Sequence, residues 1–549
     1  MKRARTPSSS PWLFGPVPDL LLGCGLLYWA LFGASLLAGT ELRTVQAHYV
    51  FPALILLLSG PHYGATLLRV YEQRAERQRY AIFSIYATVL VSAAFVAALY
   101  NVVLASWMAT LYLTWSPWHY TGQNYGIGAM FLRRRGVDVT PSMKRWLHAS
   151  FVLSYALTFF LIHANSVPNA MPTTAAVRFV PLGLPLWLAN PALLILGAAW
   201  VASSAAFARR VLHQAAWRAA GPTAALMLTQ TLWFPLPLAA QHFGWATSVE
   251  PLSLDFRGYY ALWVVLGHAV QYLWVTTYYA RASGDWDGYP SYFGKVLATG
   301  TAIWTLPYVV FGPGALGRMS VDAGLIMLVA AAINIHHFIL DGAIWKLRHM
   351  RIANVLLRSS DAPPAVAAGG ERAPASWSRR LVWHTAIACL AIGVFAFWQE
   401  QFSYLSAFGR GDFGRASAVL DQLGWVGKDS ATARLAVGSQ LLQRGDVDGA
   451  RREFERSVAL RETPDGYTML GLIEESKQDA RGALRAYERA LAVDPNRRDV
   501  LVRAGQLLLA LGGDAEGRAL LDRAAALESA EQAARREPAS ARTTQRVLY

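Results

Sequence analysis

"AAINIHHFILDGAIWKLRHM", residues 331–350, decides how the chain is read. Its first half is apolar enough to continue a hydrocarbon-spanning helix, yet His336, His337 and Asp341 follow within it. Ionisable groups at bilayer depth cost from about 2.5 to more than 10 kcal/mol, so a span that carries three of them needs partners for them in the bundle. The stretch therefore predicts a helical membrane bundle with a polar interior.

Working outward, the chain has 549 residues, 54% of them hydrophobic and 15% charged, with a mean hydropathy of +0.27. The apolar residues gather in runs of about twenty, the length that crosses a bilayer, so a polytopic membrane protein is expected. Both cysteines, Cys24 and Cys389, fall inside predicted spans, which excludes a disulfide framework and a cysteine-based zinc site. The N-terminal MKRARTPSSS leads into an apolar run near Leu20 to Gly39. That run is too long for a signal-peptide core and lacks a small-residue cleavage pattern, so it reads as a retained first span. The net charge of +15 would suit nucleic acid, but most basic residues before residue 400 lie in short loops where topology accounts for them. No nucleic-acid partner is expected.

Eleven spans are predicted, near 19–39, 48–68, 80–100, 102–131, 146–165, 187–208, 222–243, 257–280, 293–312, 321–346 and 381–399. With the tail 1–18 in the cytoplasm, the inside segments hold about 24 Lys and Arg against about 4 outside, as the positive-inside rule requires. Residues 359–378, SSDAPPAVAAGGERAPASWS, read as a cytoplasmic linker before the last span of a membrane domain covering 19–400. An odd number of spans then places the C-terminal part outside the cytoplasm, in the periplasm if the membrane is a bacterial inner membrane.

After Trp398 the composition turns charged and alanine-rich, and a period emerges. Gly438, Gly471 and Gly505 recur at about 33 or 34 residues; so do Ala450 with Ala483, Phe454 with Tyr487, and Ser457 with Ala490 and Ala524. Pro495 falls where a helix pair should end, and Ala416 and Leu420 fit the second half of an earlier unit. This resembles the tetratricopeptide repeat, whose small and aromatic positions let paired helices pack closely. In two units the first-helix Trp of that family is replaced, by Arg434 and Tyr467. The resemblance implies an α-solenoid over 401–528 that binds a protein or peptide partner, followed by a polar tail, 529–549. The expected fold class is all-α: a transmembrane bundle, then a soluble solenoid.

Within the bundle, His62 lies in LLLSGPHYGATLL, His119 in TWSPWHYTGQNYGIG and His268 in WVVLGHAVQYLW, on the second, fourth and eighth spans, with His336 and His337 on the tenth. All four spans run from outside to inside with their histidines in the middle or cytoplasmic half, so the imidazoles can converge. His119 with Gln123, and His337 with Asp341, are i,i+4 pairs on one helical face. Adjacent positions diverge by about 100°, so His336 and His337 do not both point straight at one atom. His62, His119, His268, His336 and His337 are the candidate metal ligands, with Asp341, as ligand or as orienting carboxylate, and Gln123 as the catalytic candidates. Gly60, Pro61 and Gly64, and Gly122, Gly126 and Gly128, permit close helix approach or local unwinding around the site. The remaining histidines, His48, His163 and His242 among them, lie near the ends of spans where water or headgroups satisfy them.

Four or five histidines with at most one carboxylate suit iron or copper rather than magnesium or calcium. In character this resembles the histidine-based intramembrane oxygenases and desaturases, including the bacterial beta-carotene dioxygenases. The resemblance implies an iron centre acting with dioxygen on a hydrophobic lipid, carotenoid or other isoprenoid. The HxxxH and HxxHH boxes of membrane desaturases are absent, which leaves the number of metal ions, one or two, open. Three alternatives remain open at this level: a b-type haem between His62 and His268, a membrane-anchored scaffold or assembly factor built around the repeats, and a transporter lined by His and Asp.

Overall fold

The computed structural model describes residues 10–37, 50–72, 74–164, 176–214, 216–243, 257–282, 286–345, 350–357 and 377–536. The 1–9 tail, His48, nearly all of the 359–378 linker and the end of the polar tail lie outside the described residues. The chain divides into two compact units, Met1–Pro307 with Met327–Phe395, and Tyr308–Ile326 with Ala396–Tyr549. All regular structure among the described residues is helical.

The first unit is built from α1 (Leu26–Leu37), α2 (Phe51–Tyr71), α3 (Ile82–Leu99), α4 (Val102–Arg134), α5 (Pro141–His163), α6 (Leu186–His213), α7 (Gly221–Trp233), α8 (Pro235–His242), α9 (Arg257–Ala282), and most of α10 (Tyr289–Phe311), α11 (Val321–Ile344) and α12, which begins at Trp377. Six of these, α2, α3, α5, α6, α11 and α12 (Trp377–Gly409), are long and apolar enough to cross a membrane. The apolar stretch of α11 is 72% buried, whereas those of α6 and α12 are 17% buried. The outer helices turn Val89, Leu90, Leu194, Ile195, Val382 and Ile387 outward, an apolar exposure that membrane association accounts for.

The other five expected spans are helical among the described residues but do not meet the same standard. α1 is cut from the preceding turn at Gly25, whose φ of +81° and contact with Thr229 leave no room for a Cβ. α7 and α8 are separated at Phe234, just before Pro235. α4 and α9 are long, but they carry the His119, Gln123, Asn124, His268 and Gln271 side chains that fill the interior. α10 crosses α2 at glycines: a Cβ on Gly64 would collide with the Val296 carbonyl, and one on Gly300 with the Gly60 carbonyl. This close approach seats the His62 segment.

The second unit holds α13 (Phe413–Gly424) and then three helix pairs, α14 (Ala431–Gln443) with α15 (Val447–Leu460), α16 (Pro464–Ser476) with α17 (Ala480–Val493), and α18 (Arg498–Ala510) with α19 (Asp514–Arg536). The recurring residues are the pairing residues: Gly438 faces the Phe454 ring, Gly471 the Tyr487 ring and Gly505 the Leu521 side chain. Asp412, Ser430, Asp446, Thr463 and Asp479 each accept a backbone N–H three residues on, capping five successive helices at about 1 kcal/mol apiece. Arg434, 1% exposed, satisfies every guanidinium nitrogen: Nη2 donates to Asp421 at 2.7 Å, Nε and Nη2 to Asp429 at 2.9 Å, and Nη1 to Glu453 at 3.0 Å. The expected boundary at residue 400 shifts in one respect, because Tyr308–Ile326 packs with the repeats. Asp322 accepts from Thr432 N and Oγ1 at 2.8 Å and from Ser430 Oγ at 3.2 Å.

Candidate metal centre

Four helices of the first unit bring His62 (α2), His119 (α4), His268 (α9) and His337 (α11) together. Ring centres are 5.0 Å apart for His62–His337, His119–His268 and His119–His337, 5.3 Å for His62–His268 and 6.4 Å for His268–His337. Imidazoles sharing one ion through nitrogens about 2 Å from it have ring centres about 4.5–6.5 Å apart, so the spacing fits a single centre. One ligand atom each of His62, His268 and His337 lies within a 4.8 Å group, and so does one each of His119, His337 and Asp341. His268 and His337 are buried at 1% and 3% exposure. His119 Nε2, both nitrogens of His268 and His337 Nε2 have no hydrogen-bond partner among the described residues. Buried nitrogens without partners are costly in a protein interior, and a metal ion answers that need.

One helical turn along, about 5.4 Å, lies a second polar layer. His62 is followed at i+4 by Thr66, His268 by Tyr272 and His337 by Asp341, and these three followers meet. Thr66 Oγ1 donates to Asp341 Oδ1 at 3.1 Å and Tyr272 Oη to the same oxygen at 2.7 Å, while Trp345 Nε1 donates to Tyr272 Oη at 3.0 Å. Imidazoles meeting imidazoles and followers meeting followers requires α2, α9 and α11 to run the same way and in register.

Neighbouring groups decide which ring nitrogens stay free. His62 Nδ1 lies against the Ser59 carbonyl, which only accepts, so Nδ1 carries the proton and Nε2 the lone pair. His337 Nδ1 lies 3.0 Å from Thr66 Oγ1, leaving its Nε2 for the centre. Asp341 takes its donors on Oδ1, and Oδ2 turns toward His337 Nε2 at 3.4 Å and His119 Nε2 at 3.8 Å. A π-helical turn, Ile55–Ser59, precedes His62 and presents the Ser59 carbonyl. Tyr63 packs on His62 at 3.8 Å and Tyr120 on His268 at 4.0 Å, holding both rings.

His336 points elsewhere: its Nε2 lies 2.8 Å from Thr88 Oγ1 and 3.2 Å from Tyr71 Oη. The roughly 100° between adjacent helix positions separates it from His337. The Gln123 amide donates to Gln271 Oε1 at 2.7 Å, and Gln271 donates to the Gly23 carbonyl at 2.9 Å. Gln123 therefore stands on the wall of a cavity of about 310 Å³ that adjoins the His119 and Asp341 side of the cluster. A Cβ on Gly128 would come within 3.2 Å of the Thr223 side chain of α7, the close approach expected of it, whereas Gly122 and Gly126 face open space. Outside this cluster, His163 Nδ1 accepts from Leu182 N at 3.1 Å and its Nε2 lies 3.1 Å from Thr114 Oγ1, and His242 Nε2 lies 2.8 Å from Asn190 Oδ1. Thr66, Tyr272 and Trp345 were missed in the sequence; the i+4 step from each histidine is the signal that finds the first two.

No family model matches the chain, and no curated protein matches it. Among solved structures, one described as the crystal structure of MamA aligns with 29% of this chain and 97% of its own at 17% identity, with a TM-score of 0.22. A likeness that weak bears on neither the fold nor the function, so the chain stands on its own geometry.

Proposed function

We propose that the chain is an intramembrane oxidoreductase in which His62, His119, His268, His337 and Asp341 hold one metal ion, iron by preference, beside a cavity for an apolar substrate. The observation that carries the reading is the convergence of four imidazoles from four helices, three of which, His119, His268 and His337, have buried nitrogens without a hydrogen-bond partner among the described residues. Nitrogen and oxygen donors without sulfur suit iron, copper or zinc, and of these iron supplies redox chemistry with dioxygen at a largely imidazole site. A single ion is favoured because both ligand groups need His337, and its Nδ1 is engaged with Thr66. The residues' own part is to fix the tautomers through Ser59 and Thr66, to present Asp341 Oδ2, and to exclude water behind Tyr63, Tyr120 and Phe338.

Haem fits less well, since axial imidazoles must bracket a macrocycle and here His119 and His337 surround the His62–His268 pair. By the charge asymmetry of its loops the protein sits in an inner membrane with its N-terminus cytoplasmic and eleven spans. The second unit is an extracytoplasmic tetratricopeptide array that docks a protein or peptide partner; its glycine–aromatic pairing at a period of 33 supports that assignment. Elemental analysis with an optical spectrum of detergent-purified protein tests the reading. One iron per chain without a Soret band is expected, while a metal-free protein or a haem spectrum would overturn it.

A further inference from the structure

The cavity beside the centre has its own architecture. Its deep end is formed by His119, Tyr272, Phe338 and Asp341, the last three buried, and its mouth by Trp118, Gly122 and Gly342, all exposed. Gly122 and Gly126 are i,i+4 on α4, one turn apart on one face, with Gly342 of α11 also on the lining. A Cβ at any of the three would meet nothing within 4 Å, so the slot is the space that missing side chains leave. Trp115, Ile127, Met130 and Val275 complete apolar walls. A second, smaller cavity of about 110 Å³ holds Arg69, Glu72, Glu76, Asp287 and Lys295, and Trp345 lines both. The charged cavity is a poor path for hydrocarbon.

We propose that the slot between α4 and α11 is a lateral portal that admits one linear hydrocarbon chain, acyl or isoprenoid, from the bilayer to the His119–Asp341 side of the centre. The proposal rests on the functional reading above for what happens at the deep end, but not for the binding itself. About 310 Å³ is at the small end of the roughly 300–1,000 Å³ typical of ligand pockets, which suits a single chain rather than a fused-ring molecule. The glycine strip sets its width.

The full chain in nanodiscs is irradiated with a palmitic acid carrying a terminal diazirine and, in a separate arm, with a diazirine-bearing isoprenoid alcohol; adducts are mapped and metal is measured on the same samples. Adducts within 115–130 and 338–345 are expected, and Gly126→Leu or Gly342→Leu should cut them about ten-fold with metal content unchanged. The arm that labels names the chain type. Labelling that survives both leucine variants, or that falls only on the outer faces of α6 and α12, overturns the portal. If the leucine variants lose metal, the adduct map of the native protein decides. Adducts in the slot of a metal-free native protein would keep the portal and sink the metal centre, whereas metal without adducts would do the reverse.

Discussion

Two buried polar clusters in this molecule look alike in size and differ in closure. Around Arg434 every guanidinium nitrogen reaches an acceptor, from Asp421, Asp429, Glu453 or Ser417. Around His337, four ring nitrogens of His119, His268 and His337 find no such partner among the described residues, although the layer beneath them is tied together through Thr66, Tyr272 and Asp341 Oδ1. A closed cluster is explained by the fold that contains it: Arg434 joins α13, α14 and α15. An open one needs something the polypeptide does not supply. On the function proposed above, one is structural and the other a binding site.

Four substitutions break or sharpen that comparison. His337→Ala removes the ligand shared by both halves of the site and should lower metal affinity by more than about 100-fold, beyond the loss typical of outer partners; metal content after dialysis measures it. Arg434→Ala leaves Glu453 buried without its cation and should destabilise the repeats by about 3–5 kcal/mol, seen as faster hydrogen exchange in peptides from 413–460, with metal content unchanged. Thr66→Val removes the acceptor for His337 Nδ1 and a donor to Asp341, and should cost about 10–100-fold in metal affinity, read by chelator competition. His336→Ala, next in sequence to the central ligand, should leave metal content at the native level.

The C-terminal helix pairs were legible because their signal is local: Gly438 and Phe454 lie 16 residues apart and meet within one pair. The convergence of His62, His119, His268 and His337 was legible because imidazoles are expensive in an apolar span and therefore conspicuous. Thr66 and Tyr272 were not, since a threonine or a tyrosine is ordinary in a membrane helix and gains meaning only when three followers are found touching. Neither could the sequence tell which of His336 and His337 joins the other imidazoles, because that depends on how α11 is rotated against α2 and α3. The affiliation of Tyr308–Ile326 with the repeats rests on contacts between Asp322 and Thr432, more than 100 residues apart, and no local pattern announces it. Span counting was blurred where α4 and α9 trade apolar character for the site they build.

The central claim is that imidazoles from four separate helices hold one ion. X-ray absorption at the metal edge of chelator-free purified protein tests it most directly. The account predicts a shell of nitrogen and oxygen donors near about 2.0–2.2 Å with the multiple-scattering signature of about four imidazoles; a sulfur shell, a porphyrin signature or one imidazole or none would contradict it.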